Sequence, residues 1–150
     1  MFFLQKSLCF IICLLWFSLG FAGINNPLII NFSKTQYGAA NKNWSISEDE
    51  HGILYFGNDI GLLEFDGIEW KLNKLPKAEV VRSVYVVSNN EIYTGGYEEF
   101  GKWSPQSDGE LTYTSLSKEL PTDNWQNDDI WRILPQGESI YFQSFSEIGR

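Results

Sequence analysis

Residues 46–61 read ISEDEHGILYFGNDIG, and related segments follow at 84–101 (VYVVSNNEIYTGGYEEFG) and 133–149 (ILPQGESIYFQSFSEIG). Each segment consists of a strand-like start, a short polar turn, a short apolar stretch and a final glycine. Each apolar stretch contains one tyrosine, and these tyrosines are 38 and 48 residues apart: Tyr55, Tyr93 and Tyr141. A repeat of about 40 residues made of short strands is typical of a β-propeller blade, which buries its faces only against neighbouring blades.

The first repeat predicts four strands. Residues 44–47 alternate apolar and polar side chains, as a half-buried strand does. The continuous apolar run Ile53–Gly57 predicts a central strand. Asp66-Gly67 is a two-residue hairpin signal before a fourth strand, predicted at Ile68–Leu72. The predicted fold is therefore all-β, a β-propeller of about three blades. The blades are predicted at 44–76, 82–116 and 128–150, and the third blade starts with a strand at Asp129–Leu134.

A complete propeller has roughly four to eight blades. We therefore expect this chain to be a fragment of a longer ring, with the third blade cut within its third strand. Residues 23–43 form a leading segment. Its apolar run at 28–32 (LIINF) is interpreted either as an ordinary leading strand or as a strand that closes the ring by pairing with the last blade.

The first 22 residues have the pattern of a secretory signal peptide. Lys6 supplies a positive start, 8–19 is almost wholly apolar, and Gly20 and Ala22 are small residues where signal peptidase cleaves. An uncleaved membrane anchor is the alternative, although the run is short for a span. The prediction is an exported, periplasmic chain whose mature part has no cysteine, since Cys9 and Cys13 both lie in the leader.

The charge balance argues against nucleic-acid binding. The chain has 11 Lys and Arg against 19 Asp and Glu, a net charge of −8 that becomes −9 when Lys6 leaves with the leader. Such a chain repels phosphate backbones. The acidic excess identifies no partner, because acidic surfaces commonly serve solubility.

No catalytic or metal-binding motif is recognisable. The adjacent acids at 48–50 lack the alternating oxygens of a calcium loop, so we interpret them as a solvated turn. His51 is the single histidine, and no second histidine or cysteine in the mature part completes a zinc site. The pairs Glu98-Glu99 and Asp128-Asp129 point to opposite faces of a strand and cannot act together as acid and base. We expect no cofactor; acids from different blades leave a glycosidase or lyase open.

Five tryptophans follow the leader, and packing between sheets is the favoured role for them, with sugar stacking as the alternative. They are Trp44, Trp70, Trp103, Trp125 and Trp131.

Residues 44–57 (WSISEDEHGILYFG) and 61–67 (GLLEFDG) resemble the two-component regulator propeller repeat. The resemblance is specific over 44–70 and looser over 82–103 and 129–150. The sequence departs from the family pattern where Ile60-Gly61 replaces Asn-Gly, and the second and third repeats lack the Asp-Gly hairpin.

The resemblance implies the extracytoplasmic sensor of a bacterial signal-transduction regulator, of a kind common in Bacteroidetes. In that family a small β-domain with three tyrosines, a transmembrane helix and a histidine kinase or helix-turn-helix output follow the propeller. The implied ligand is a small molecule or glycan fragment, and the full-length protein is expected to form a homodimer.

Ligand contacts are expected where loops converge at one face of the ring. The candidates lie at or beside predicted strand ends: His51, Asn58, Asp59, Tyr97, Glu98 and Phe145. A secreted propeller enzyme that acts on polysaccharide and a purely structural interaction module are the alternatives.

Overall fold

The computed structural model describes residues 27–77, 80–119 and 127–150. In these ranges the chain forms eleven strands, a short helix α1 (Lys34–Tyr37) and a 3-10 helix (Ser117–Glu119). The predicted leader and Trp125 lie outside the described residues. None of the helices described is long and apolar enough to cross a membrane.

The strands form three antiparallel sheets, each an up-and-down meander. The first sheet contains β1 (Asn43–Glu48), β2 (Leu54–Asn58), β3 (Gly61–Phe65) and β4 (Trp70–Asn73). The second contains β5 (Val81–Ser88), β6 (Glu91–Gly96), β7 (Phe100–Pro105) and β8 (Leu111–Ser115). The third contains β9 (Arg132–Gln136), β10 (Ser139–Gln143) and β11 (Ile148–Gly149). The prediction of an all-β fold is confirmed.

The turn between β3 and β4 is longer than the predicted two-residue hairpin. It spans Asp66–Glu69, and Asp66 Oδ1 accepts hydrogen bonds from the backbone N–H groups of Ile68 at 2.8 Å and Glu69 at 2.7 Å. These bonds lower the pKa of the Asp66 carboxyl. The aspartate thus builds a side-chain-capped turn, and the fourth strand begins at Trp70 instead of Ile68.

Residues 28–32 do not form the predicted strand, and Leu28, Ile29 and Ile30 are exposed. Phe32, at the start of the compact unit Phe32–Arg150, lies against the first sheet through its ring. Its centroid is 5.1 Å from that of Phe65 and 5.2 Å from that of Trp70. Phe32 therefore contacts the first sheet through its side chain.

The segment before β9 belongs partly to the second sheet. A strand was predicted from Asp129, but Asp129 forms an isolated bridge with Tyr97, and the Ile130 N–H donates to the Gly96 carbonyl at 2.9 Å. The regular strand begins only at Arg132. Residues 129–130 therefore join the second sheet to the third.

Two apolar clusters form the core. One contains Tyr55, Leu62, Leu75, Val81, Val84, Ile92 and Trp103. The other contains Phe100, Ile130, Ile133 and Phe142. Trp103 is buried, and its indole N–H donates to Thr94 Oγ1 at 2.9 Å, so burial leaves this polar group satisfied.

Glycines in β2 and β6 allow neighbouring sheets to approach closely. A Cβ at Gly95 would lie 2.5 Å from Ile130 Cγ2, and a Cβ at Gly57 would lie 2.7 Å from the Val81 carbonyl oxygen. Each glycine pairs in register with a serine of the preceding strand, Ser83 or Ser45. The same contact is thus repeated at equivalent positions of the first and second sheets.

Substitution of Gly95 by alanine is expected to destabilise the fold by roughly 2 kcal/mol or more, because the added methyl overlaps the buried Ile130 side chain. Urea unfolding of the full chain measures this change. Gly137→Asn is the control, because Gly137 has open space around it and a φ of 59° that asparagine adopts readily. Equal stability of the two variants would contradict the close approach.

Candidate functional site

One end of the sheets carries a row of three side chains from equivalent repeat positions. Each of them directly precedes a residue that pairs with the following strand. The residue after Trp44 pairs with Gly57, the residue after Arg82 pairs with Gly95, and the residue after Trp131 pairs with Gln143. We call these three residues the tryptophan–arginine row, and the end of the sheets where they lie the row end. Trp44 and Arg82 are near the starts of β1 and β5, and Trp131 directly precedes β9.

The arginine lies against both tryptophans. Arg82 Cζ is 4.0 Å from the ring centroid of Trp44 and 5.5 Å from that of Trp131. The two indole centroids are 6.3 Å apart, with an angle of 76° between the ring planes. A guanidinium near aromatic faces gains cation–π attraction, which is strengthened where water is excluded.

Two aspartates fix the arginine. Its Nε lies 3.1 Å from Asp129 Oδ1, and its Nη1 lies 3.9 Å from Asp59 Oδ1. Asp59 Oδ1 also accepts a hydrogen bond from Trp44 Nε1 at 2.7 Å. The two carboxylates therefore position the guanidinium of Arg82, and Asp59 also positions the indole of Trp44. The predicted candidate Asp59 is part of this network.

A second set of equivalent positions forms the rim of the row end: Asp59, Tyr97 and Phe145. Phe145 is 83% exposed, and its ring centroid is 5.3 Å from that of Trp131. Tyr97 is 43% exposed and donates its hydroxyl to Asn127 Oδ1 at 3.3 Å. The rim thus offers aromatic surface beside carboxylate oxygens.

Glu98 shapes the loop that presents Tyr97. Its φ of 54° is in the left-handed region, where residues other than glycine are uncommon. Its carboxylate accepts from the Asn127 N–H at 2.6 Å, and its own N–H donates to the Asp128 carbonyl at 2.9 Å. These bonds stabilise the strained backbone and bind the loop to the segment before β9.

Asn58 is fully buried, which makes it a support for the rim and not a surface contact. Its Oδ1 accepts from the N–H groups of Ala40 and Ile60, and its Nδ2 donates to the Ala40 carbonyl and to Asn43 Oδ1. Its amide is therefore fully used in fixing the loop that carries Asp59.

His51 lies at the opposite end of the first sheet, in the turn between β1 and β2. Its ring contacts the side chain of Asn89, which lies in the corresponding turn of the second sheet. Successive turns of an antiparallel meander alternate between the two ends of a sheet. The other five candidates therefore lie together at the row end, while His51 does not.

Asp128 holds the loop that carries Phe145. Its Oδ2 accepts from the Ser146 N–H at 3.0 Å, and its Oδ1 accepts from the Asp129 N–H at 2.9 Å. Hydrogen bonds, first from the Ser144 hydroxyl and then from Ser146, hold the pKa of the Asp128 carboxyl below its ordinary value.

Sequence reasoning missed Arg82 and Asp129 as members of the site. The available signal was their position in the repeat, since Arg82 stands where the other repeats have Trp44 and Trp131. From the sequence, Asp128-Asp129 was considered only as a catalytic pair. Within the described ranges, no three His, Cys, Asp or Glu residues are grouped as metal ligands would be.

Comparison of the chain with protein-family models, with curated proteins and with solved structures finds no match.

The contact between Arg82 and Trp44 is expected to show a coupling free energy of about 1 kcal/mol in a double-mutant cycle. The cycle uses Arg82→Met and Trp44→Leu, with urea unfolding of the full chain as the measurement. A cycle of Arg82→Met with Trp70→Leu is the control, because Trp70 belongs to the distant cluster around Phe65. Coupling of Trp44 no larger than that of Trp70 would contradict the contact.

The lowered pKa of Asp128 predicts a pH dependence of stability. Its ionised form stabilises the fold above the unfolded-state pKa of about 3.9, and this contribution is lost as the pH falls through the lower folded-state pKa. Between pH 6 and pH 3 the urea midpoint should therefore decline less in Asp128→Asn than in the unmodified chain. Asp108→Asn, in an exposed turn, should decline like the unmodified chain; a decline in Asp128→Asn as steep as the unmodified chain's would count against this role.

Proposed function

We propose that the three sheets are successive blades of a β-propeller, and that this propeller is the extracytoplasmic ligand sensor of a bacterial signal-transduction regulator. The ligand site is at the row end. A small molecule or glycan fragment binds there, and the regulator responds to the change in population of its conformations.

The propeller architecture is supported by how the sheets meet. There are two junctions between successive sheets. In each one, a residue at the start of the later sheet, or just before it, packs on a glycine in the second strand of the earlier sheet. Val81 does so on Gly57, and Ile130 does so on Gly95. A contact repeated at the same repeat position is what a radial series of identical units requires.

The observation that carries the proposed site is the convergence of equivalent positions. Two positions per repeat, from three repeats, supply the tryptophan–arginine row and the rim at one end of the sheets. The ends of blades are where propellers gather loops from separate repeats, and a site of this kind needs no single long loop.

The chemistry of the rim favours a polyhydroxyl ligand. The exposed rings of Phe145 and Tyr97 offer flat apolar faces, and Trp44 is partly exposed beside them. The carboxylate of Asp59 is an acceptor for hydroxyl groups. Flat rings with adjacent acceptors suit a sugar ring, which has apolar C–H faces and hydroxyls at its edge. The resemblance of residues 44–67 to the two-component regulator repeat supports the sensor role.

The test is a screen of the full chain against oligosaccharides from bacterial, plant and animal polysaccharides, with the melting temperature as the readout, since a ligand that binds the folded state raises it. For each oligosaccharide that raises it, calorimetry then gives the affinity of the unmodified chain, Phe145→Ala and Ile68→Ala. Ile68 is the matched control, because it is 86% exposed at the opposite end of the first sheet.

Phe145→Ala should weaken binding roughly tenfold or more, which corresponds to about 1.4 kcal/mol. Ile68→Ala should leave the affinity unchanged. A screen without any stabilising oligosaccharide, or equal losses in the two variants, would overturn the proposed site.

A further inference from the structure

A cavity of about 310 Å³ opens between the first and second sheets, at the end opposite to the tryptophan–arginine row. The turn that carries His51 and the turn that carries Asn89 border it. Its volume is at the lower limit of small-molecule sites, which run from roughly 300 to 1,000 Å³. None of the residues of the row or its rim lines this cavity.

Asp49 lines this cavity and is buried, with 8% of its surface exposed. The interpretation of 48–50 as a solvated turn is therefore wrong for Asp49. Its Oδ1 accepts from the N–H groups of His51 and Ile53, each at 2.9 Å, which draws the side chain inward to organise the turn. Its Oδ2 is buried without a hydrogen-bond partner. A buried carboxylate oxygen that lacks a donor is costly, and a bound donor would relieve the cost.

Glu64 supplies a second carboxylate. It pairs in register with Tyr55 on the neighbouring strand, so both side chains are on one face of the first sheet and line the cavity. Its Oε2 accepts from Asn73 Nδ2 at 3.1 Å. Lys71, its register partner on β4, instead pairs with Glu110 at 2.9 Å. Among the ion pairs of the described residues, none neutralises Asp49 or Glu64.

Tyr55 lines the cavity together with both acids. Burial raises the pKa of Tyr55 above its ordinary value, and the charges of Glu64 and Asp49 raise it further. Asn89 Oδ1 is a further buried acceptor without a partner. The polar lining therefore includes two carboxylates and two buried oxygens, Asp49 Oδ2 and Asn89 Oδ1, that have no hydrogen-bond partner.

The remaining wall is apolar. Ile53 from the first sheet and Pro105 and Leu111 from the second line the cavity beside the acids. Small-molecule sites combine such apolar surface with a few convergent polar groups. A bare metal ion would use only the acids, whereas an organic ion would use both parts of the lining.

We propose that this cavity binds a small organic cation, a protonated amine on a short apolar body. The ammonium group donates to the carboxylates of Asp49 and Glu64, and the body packs on Ile53 and Leu111. Burial of the ion is compensated by the two carboxylates, which have no ion-pair partner among the described residues. This site is separate from the row end and does not depend on the function proposed for it.

The probe is phenethylamine, with 2-phenylethanol as the uncharged analogue of the same shape. Calorimetry on the full chain at neutral pH measures binding to the unmodified chain, Glu64→Gln, Asp49→Asn and Glu50→Gln. Glutamine at 64 keeps an acceptor for Asn73, and asparagine at 49 keeps the oxygen that organises the turn. Glu50 is the matched control, because it is an exposed acid beside Asp49 that does not line the cavity and belongs to none of the ion pairs of the described residues.

We expect saturable binding of phenethylamine, tenfold or more weaker binding in Glu64→Gln and Asp49→Asn, and less than a threefold change in Glu50→Gln. Phe145→Ala should bind it unchanged, which separates this site from the row end. Absence of saturable binding would overturn the proposal. So would equal affinity for 2-phenylethanol, or an equal loss in Glu50→Gln, which would indicate general attraction to an acidic surface.

Discussion

Close approach of neighbouring sheets depends on the absence of a side chain at Gly57 and Gly95. Each glycine receives the backbone or side chain of a residue that leads into the next sheet, Val81 or Ile130. Dense packing leaves no room for even one methyl group at such a junction without movement of its neighbours. Because the two junctions are equivalent, the sheets are brought together with the same ends aligned.

This alignment explains how the row end acquires its chemistry. Residues just before the paired strands come together from three sheets, so that Arg82 is between two tryptophans and two aspartates. A lone buried guanidinium would be unfavourable, but rings and carboxylates together stabilise it. The opposite end differs, since Asp49 and Glu64 line a cavity and neither belongs to the ion pairs of the described residues.

The sequence was sufficient to predict the all-β fold and most of its strands, because alternation and turn residues are local signals. It misplaced the start of β9, since the pairing of Asp129 with Tyr97 is a contact between sheets. It grouped His51 with five residues from the other end, because the alternation of turns follows from pairing, not from composition. The burial of Asp49 was likewise invisible, as three adjacent acids have the pattern of a solvated turn.

The central claim is that Ile130 packs on Gly95 and thereby aligns the second and third sheets. The most direct test is to measure nuclear Overhauser effects from the methyl groups of Ile130. The sample is the full chain with labelled isoleucine methyl groups. The account predicts a strong effect between the Ile130 Cγ2 methyl and the Gly95 α-protons, since even a Cβ at Gly95 would overlap this methyl. An assigned Ile130 methyl that shows no effect to Gly95 in the folded chain would contradict it.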